Sequence, residues 1–295
     1  MSKKQFIIYL AVAFGTAYIL EIIGGLYANK GNRLVFTLCL SVAMFMPLLG
    51  TLAAKFPFKG MGWIPRIKGN VKIIVFSLLA PAVCAILGAV IFYLVFPGSF
   101  DSELTSLAQT VGPEAYEAIK AQGLSPLLLI LVSEISAVTY AAFINTFVAI
   151  GEETGWRGCM YPYLKERFGK MKGRIIGGII WGAWHWPIML LAGYEYGKDY
   201  IGAPVLGLAV FCIFTVAAGI LLDHVYEKSG TIWMAALFHG AINANNVFPY
   251  TVKPEYSHLS ILGPAFIGVI SGLPLLFVAI YVACKDAKRA DKMDE

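Results

Sequence analysis

The chain has 295 residues, of which 58% are hydrophobic and 14% charged, with mean hydropathy +0.72 and a formal net charge of +5. Soluble domains carry roughly 25% charged residues, so this composition excludes an ordinary water-soluble globule and points to a bilayer as solvent. The positive charge follows membrane topology, as the distribution below shows, and gives no indication of nucleic acid.

Eight apolar stretches approach the about 20 residues that a span needs: 5–28, 34–54, 73–96, 125–150, 174–193, 202–222, 230–249 and 258–284. MSKKQ followed by the first of them reads as a transmembrane helix, its apolar run being too long for a cleavable signal. KFPFKGMGWIPRIKGN (55–70) and MYPYLKERFGKMKGR (160–174) mix bases with aromatic rings, the composition of a headgroup-level segment. The polar stretch 97–125 is acidic, and its AYEAIKA core suits a short interfacial helix. The fourth span fits best if its helix starts nearer Ile135 and runs through Glu152 toward Leu164, with 125–134 as a partial entry segment.

An N-terminus placed in the cytoplasm puts Lys3, Lys4, Lys55, Lys59, Arg66, Lys68, Lys72, Arg157, Lys165, Arg167, Lys170, Lys172, Arg174, Lys228, Lys285, Lys288, Arg289 and Lys292 inside. That is 18 of the 23 basic residues, leaving Lys30, Arg33, Lys120, Lys198 and Lys253 outside, which satisfies the positive-inside rule. The expected architecture is an all-α polytopic membrane bundle of about eight transmembrane helices with both termini cytoplasmic. It forms a single membrane domain over 1–295, with a motif-bearing core at about 135–249. The five cysteines show neither a CxxC pair nor metal spacing and read as packing residues.

Ionisable groups inside a span cost about 2.5–3.5 kcal/mol on insertion scales, so they face the bundle interior or a wet cavity. Three clusters qualify. In GEETGWRG (151–158), Glu153 and Arg157 are four apart and can pair on one helix face, while Glu152 lies about 100° away and stays available for chemistry. Gly151 and Gly155 form a small-xxx-small pair that lets another helix approach. In WGAWHWPIM (181–189), His185 sits roughly 16 Å in from Arg174 along a helix rising 1.5 Å per residue, and Pro187 loosens the backbone beside it. In LFHGAINANN (237–246), His239 and Asn243 share a face, at nearly the depth of His185. An ordinary surface ion pair, a core histidine and polar glue between helices are the bland readings of these clusters taken singly. Glu21, Glu134, His224 and His258 have no evident partner in the sequence and read as bystanders.

Together the clusters can cleave an amide. Glu152 with His185 would deprotonate a water, and His239 and Asn243 would donate to the developing oxyanion. There is no GxSxG, and nothing suggests an acyl-enzyme. His185, His239 and Glu152 could also supply a zinc set with an open position, although HExxH is absent; a divalent metal such as zinc and no metal at all both stay open.

The ordered set E152-E153-T-G-W-R157, W181-G-A-W-H185 and H239-G-A-I-N243 resembles the CPBP family of intramembrane proteases, which holds CAAX prenyl proteases and bacteriocin-processing or immunity proteins. The resemblance covers about a third of the chain. It implies catalytic roles for Glu152, His185, His239 and Asn243, supporting roles for Glu153 and Arg157, and a cavity open toward the cytoplasmic leaflet. Its second motif often begins with Phe in the prenyl-protease branch; here it is Trp181, closer to the broad prokaryotic branch. The implied partners are the bilayer and a peptide or membrane-protein substrate, prenylated or not, in a multi-pass protein of the prokaryotic plasma membrane. The alternatives are a non-catalytic membrane partner, such as an immunity or scaffold protein that keeps the family residues, and a proton-coupled transporter, against which the lack of internal repeats argues.

Overall fold

The computed structural model describes residues 1–294, and side chains as far as Lys288, so Arg289 and Lys292 of the C-terminal basic cluster lie outside the described side chains. Fourteen α-helices follow one another: α1 Lys3–Ala28, α2 Arg33–Ala43, α3 Met46–Ala53, α4 Val71–Val95, α5 Thr105–Val111, α6 Pro113–Ala121, α7 Pro126–Val138, α8 Tyr140–Gly155, α9 Tyr161–Phe168, α10 Lys170–Trp184, α11 Trp186–Ala192, α12 Val205–Ser229, α13 Ile232–Ala244 and α14 Leu273–Asp294. A π-helical turn, Trp156–Met160, joins α8 to α9. Among the described residues the only β pairing is an isolated bridge between Phe100 and Val252. The protein is an all-α membrane bundle.

Leu34, Leu94, Leu127, Val205 and Phe277 lie exposed on the outside, while Glu153, Arg157, Arg174 and Asp223 are fully buried. That inversion of a soluble protein's pattern is what lipid selects, since charge must be hidden among neighbouring helices. Among the described residues, five helical stretches are long and apolar enough to cross a membrane: Lys3–Ala28, Arg33–Ala53, Val71–Val95, Lys170–Ala192 and Val205–Ser229. Counting the bent pair α6–α7 as one span makes six, so the expected eight is not reached on length and apolarity. Two of the eight sequence stretches differ for clear reasons. The stretch 258–284 is helical only from Leu273; before it the chain folds into a 3-10 segment, Pro254–Leu259, and turns. The stretch 230–249 yields only the 13 residues of α13, almost all of them buried, which makes it an inner helix packed on its neighbours.

The fourth span follows the frame expected from the sequence, with its break at Thr139 between α7 and α8. Close approaches then fix α8. A Cβ on Gly155 would collide with Pro47, and one on Gly151 would meet the Met44 carbonyl oxygen at 2.6 Å, so α3 lies directly against the small face of α8. On the other side, a Cβ on Gly240 would meet the Ala142 oxygen at 2.5 Å. Only glycine lets α13 sit this near to α8, and it stands next to His239.

The two ends of the bundle are distinct. At the N-terminal end, Gln5 donates to the Ala54 carbonyl, and Thr231 donates to the Gly62 carbonyl. At the far end, Asn29 donates to the Leu191 carbonyl and accepts from Lys198 Nζ at 2.7 Å. These contacts gather loops 54–70 and 229–231 at one end, and loops 29–32 and 193–204 at the other.

Candidate active site

The α10 helix ends at Trp184 and α11 restarts at Trp186 with Pro187 in its first turn. His185 occupies the break, with φ −90° and ψ −3°. Its Nδ1 lies 3.0 Å from the Trp181 carbonyl. A carbonyl only accepts, so Nδ1 carries the proton and Nε2 keeps a free lone pair. The ring is boxed by Trp184, Phe211 and Tyr194, with centroids at 4.8, 5.0 and 6.4 Å.

Glu152 is buried, and its Oε2 accepts two indole N–H groups, from Trp156 at 2.9 Å and Trp181 at 2.8 Å. Its Oε1 takes no hydrogen bond from the chain, and the residue lines a cavity of about 470 Å³. Glu153 turns the other way. Its Oε1 accepts from Arg157 Nη1 at 3.0 Å, as the spacing leads one to expect, and also from His239 Nδ1 at 2.7 Å. The guanidinium stacks over the rings of Tyr161 and Trp181, 4.5 and 4.9 Å from their centroids. With Nδ1 committed to Glu153, His239 has only Nε2 left for a substrate.

The cavity brings together Glu152 from α8, Trp181 from α10, His185 from the α10–α11 break, and His239 and Asn243 from α13. Trp181 lies beside both imidazoles, 6.4 Å from His185 and 5.2 Å from His239 between ring centroids. Glu153 and Arg157 stay behind this surface. Among the described residues no three His, Cys, Asp or Glu side chains are placed to hold one ion. The zinc set of His185, His239 and Glu152 is therefore not assembled in this geometry, and one Glu152 oxygen is already taken by the two indoles. The residues as placed do not fit the metal.

Several lining residues are not among those singled out from the sequence. Glu21, read as a bystander, reaches the same cavity; its Oε2 accepts from the Ile188 N–H at 3.3 Å and so caps the restart of α11 beside His185. Asn145, Tyr194 and Glu195 also line the cavity. Asn145 is spaced seven residues before Glu152 on one helix face and could have been picked out on that ground. Glu195 lies in an irregular loop, in a left-handed backbone conformation at φ +74°, which no periodicity marks. One further bystander reading needs correction. His224 Nδ1 is 3.1 Å from both carboxylate oxygens of Asp286. Asp286 in turn accepts from Arg174, which also binds Asp223 and Glu227. The His224 partner is distant in sequence, on α14, and so could not be anticipated. Asn245 and Asn246, at the end of the LFHGAINANN segment, both line the cavity. The exposed His258 ring bonds the nearby Glu255 carbonyl and is bland, as expected.

The fold and site thus define a multi-pass α-helical membrane protein with carboxylate, imidazole and amide groups around one internal cavity. Residues 134–245 match the family model for type II CAAX prenyl endopeptidase Rce1-like proteins. A stretch of 104 residues is 30% identical to CAAX prenyl protease 2 of Methanococcus maripaludis, covering 35% of this chain and 38% of that protein. The match thus spans little more than a third of either protein, and it is the third that carries the site. Through this segment the chain is similar to the CAAX prenyl endopeptidases.

Proposed function

We propose that the protein is an intramembrane endopeptidase that hydrolyses a peptide bond in a peptide or membrane-associated protein by a water activated at Glu152 and His185. Glu152 takes a proton from the water on its free oxygen, and His185 Nε2 orients that water. The hydroxide adds to the scissile carbonyl. Its developing oxyanion is met by the Asn243 amide and by Nε2–H of an imidazolium His239. The proton held by Glu152 then passes to the leaving amine as the C–N bond breaks, which restores the carboxylate. Each oxyanion donor is worth roughly 3–4 kcal/mol in favourable sites. Glu153 and Arg157 are positioning residues: they hold the His239 ring and leave the reaction to others. No step in this scheme uses a metal.

The single observation that carries the reading is the convergence of Glu152, His185, His239 and Asn243 on one cavity while Glu153–Arg157 remains buried behind it. The test is cleavage of a broad peptide library by purified protein in detergent, comparing the unaltered chain with Glu152→Gln. Loss of all cleavage at an unchanged melting temperature supports the assignment. A variant that cleaves normally sinks it, and a chain that cleaves nothing while Glu152→Gln keeps its cellular effect is a binding partner that retains family residues.

A further inference from the structure

The loop between α3 and α4 holds its backbone to the bundle and leaves most of its side chains outside. Met61 is buried against the π-helical turn, where a Cβ on Gly158 would meet its Sδ at 2.8 Å. The Gly62 carbonyl accepts from Thr231 Oγ1 at 2.7 Å and from the Ile232 N–H at 3.2 Å. The Trp63 carbonyl accepts from Trp233 Nε1 at 2.7 Å. Asn70 closes the loop, donating to the Arg66 and Ser229 carbonyls at 2.8 and 3.3 Å. Between these anchors the side chains of 63–68, Trp-Ile-Pro-Arg-Ile-Lys, are exposed, Ile64 by 73% and Ile67 by 65%.

Charge on this loop has one sign. Between Glu21 and Asp101 the chain has no acidic residue. Lys55, Lys59, Arg66, Lys68 and Lys72 are all exposed, and none of them has an ion pair among the described residues. Other bases behave differently: Lys165, Lys170 and Arg174 are answered by Asp223, Glu227 and Asp286. The loop is thus an uncompensated positive surface, which draws an anion from outside the chain.

The apolar side chains decide which anion. Val71, Val75 and Leu79 form an exposed stripe at helical spacing that runs from the loop along α4, and Leu49 and Leu52 are exposed on α3 just before it. Because α4 is long and apolar enough to cross a membrane, its stripe faces hydrocarbon and the loop at its start lies at headgroup level. An acidic protein segment would answer the bases but leave Ile64 and Ile67 in water. We infer that the 55–72 loop is a docking surface for anionic phospholipid. Lys59, Arg66, Lys68 and Lys72 meet the phosphates, while Trp63, Ile64 and Ile67 enter the boundary between headgroups and acyl chains. The anchored backbone means that binding orders side chains alone. The surface is separate from the Glu152–His185 cavity, and its test needs no cleavage.

The experiment titrates the full-length protein in a neutral detergent with phosphatidylglycerol or phosphatidylcholine of equal chain length and reads lipid adducts by native mass spectrometry. The expected result is tighter binding of phosphatidylglycerol. Arg66→Gln with Lys68→Gln should lower that affinity roughly twenty-five-fold, at about fivefold for each base removed, and leave phosphatidylcholine binding unchanged. The exposed pair Lys30→Gln with Arg33→Gln, at the other end of the bundle, should change neither. Equal affinity of the unaltered protein for the two lipids overturns the inference, as does an equal loss from both pairs of substitutions. Displacement of phosphatidylglycerol by inorganic phosphate at matched concentration overturns it in favour of a free-anion site, and tighter binding of a polyglutamate peptide overturns it in favour of an acidic protein partner. Should the Arg66 and Lys68 variant fail to fold, the unaltered protein decides: phosphatidylglycerol should raise its melting temperature more than phosphatidylcholine does, and high salt should abolish the difference. No difference at low salt overturns the inference.

Discussion

His239 gives its Nδ1–H to Glu153 at 2.7 Å, on the same carboxylate oxygen that takes Arg157 at 3.0 Å. One oxygen thus ties the imidazole of α13 to the guanidinium at the end of α8, and the ring is held by a residue that never reaches the cavity. Glu153→Gln should therefore hurt in two ways. Leaving a buried guanidinium unanswered costs about 3–5 kcal/mol, so the melting temperature in detergent should fall clearly, and kcat should fall because His239 is no longer held. Glu152→Gln should lose kcat with its melting temperature unchanged. Thermal melting beside peptide cleavage separates the two; equal melting temperatures for both variants would contradict the division of roles.

Trp181 does for Glu152 what a phenylalanine at that position cannot, since its indole N–H donates to Oε2. Trp181→Phe keeps the aromatic packing and removes that donor, leaving Trp156 as the remaining one. A hydrogen bond to a charged group is worth about 1.5–3 kcal/mol, so a fall in kcat of roughly one to two orders of magnitude is expected. KM should move little. Steady-state kinetics on any cleaved peptide checks this, and an unchanged kcat would show that the Trp181 bond does not shape the carboxylate.

Asp286 lies beyond the apolar part of α14. Burial alone would push its carboxyl up, but the hydrogen bonds and charges of His224 and Arg174 outweigh burial and hold it below its usual range. A carboxyl whose pKa is lower folded than unfolded stabilises the fold fully above about 3.9, its unfolded value. That contribution is lost as pH falls through the folded value. Melting curves between neutral and acidic pH should show a drop at the acidic end that Asp286→Asn makes shallower. The same slope in both proteins would rule Asp286 out as its source.

Gly155→Ala places a methyl group against Pro47, where no room exists, whereas Gly15→Ala in α1 meets nothing within 4 Å. The first should cost about 1–3 kcal/mol through overpacking, and the second should be neutral or slightly stabilising through helix propensity. Melting temperatures decide it. Two neutral substitutions would mean that α3 does not pack where it stands.

The residues as placed do not fit a metal, so cleavage is expected to survive dialysis against a strong chelator and to gain nothing from added zinc. Loss on chelation with recovery on zinc addition would replace the Glu152–His185 scheme by a metal-centred one.

The parts of this site that the sequence made legible are those carried by helical spacing. Glu153 pairs with Arg157 because they are four apart, Gly151 and Gly155 meet α3 because small residues recur every turn, and His239 and Asn243 share the cavity for the same reason. Long-range partnerships were not legible. Nothing in the local pattern joins Glu153 to His239, Glu21 to the first turn of α11, or His224 to Asp286, since each depends on which helices become neighbours. The turns before α14 were hidden for another reason: residues 258–272 are as apolar as a span, and apolarity reports burial without reporting helix.

The π-helical turn Trp156–Met160 is closed by a bond from the Tyr161 N–H to the Trp156 carbonyl. Such a turn takes in one residue more than an α-helical one, so it shifts the phase of everything after it by about 100°. Before the turn, the phase aims Glu152 at the cavity; after it, the phase aims Lys165 at Asp223. The two aims are compatible only through that additional residue. Removing one residue here, Gly158 for example, would let the helix run on unbroken, and it could then keep its carboxylates on the cavity or its lysine on the ionic cluster, but not both.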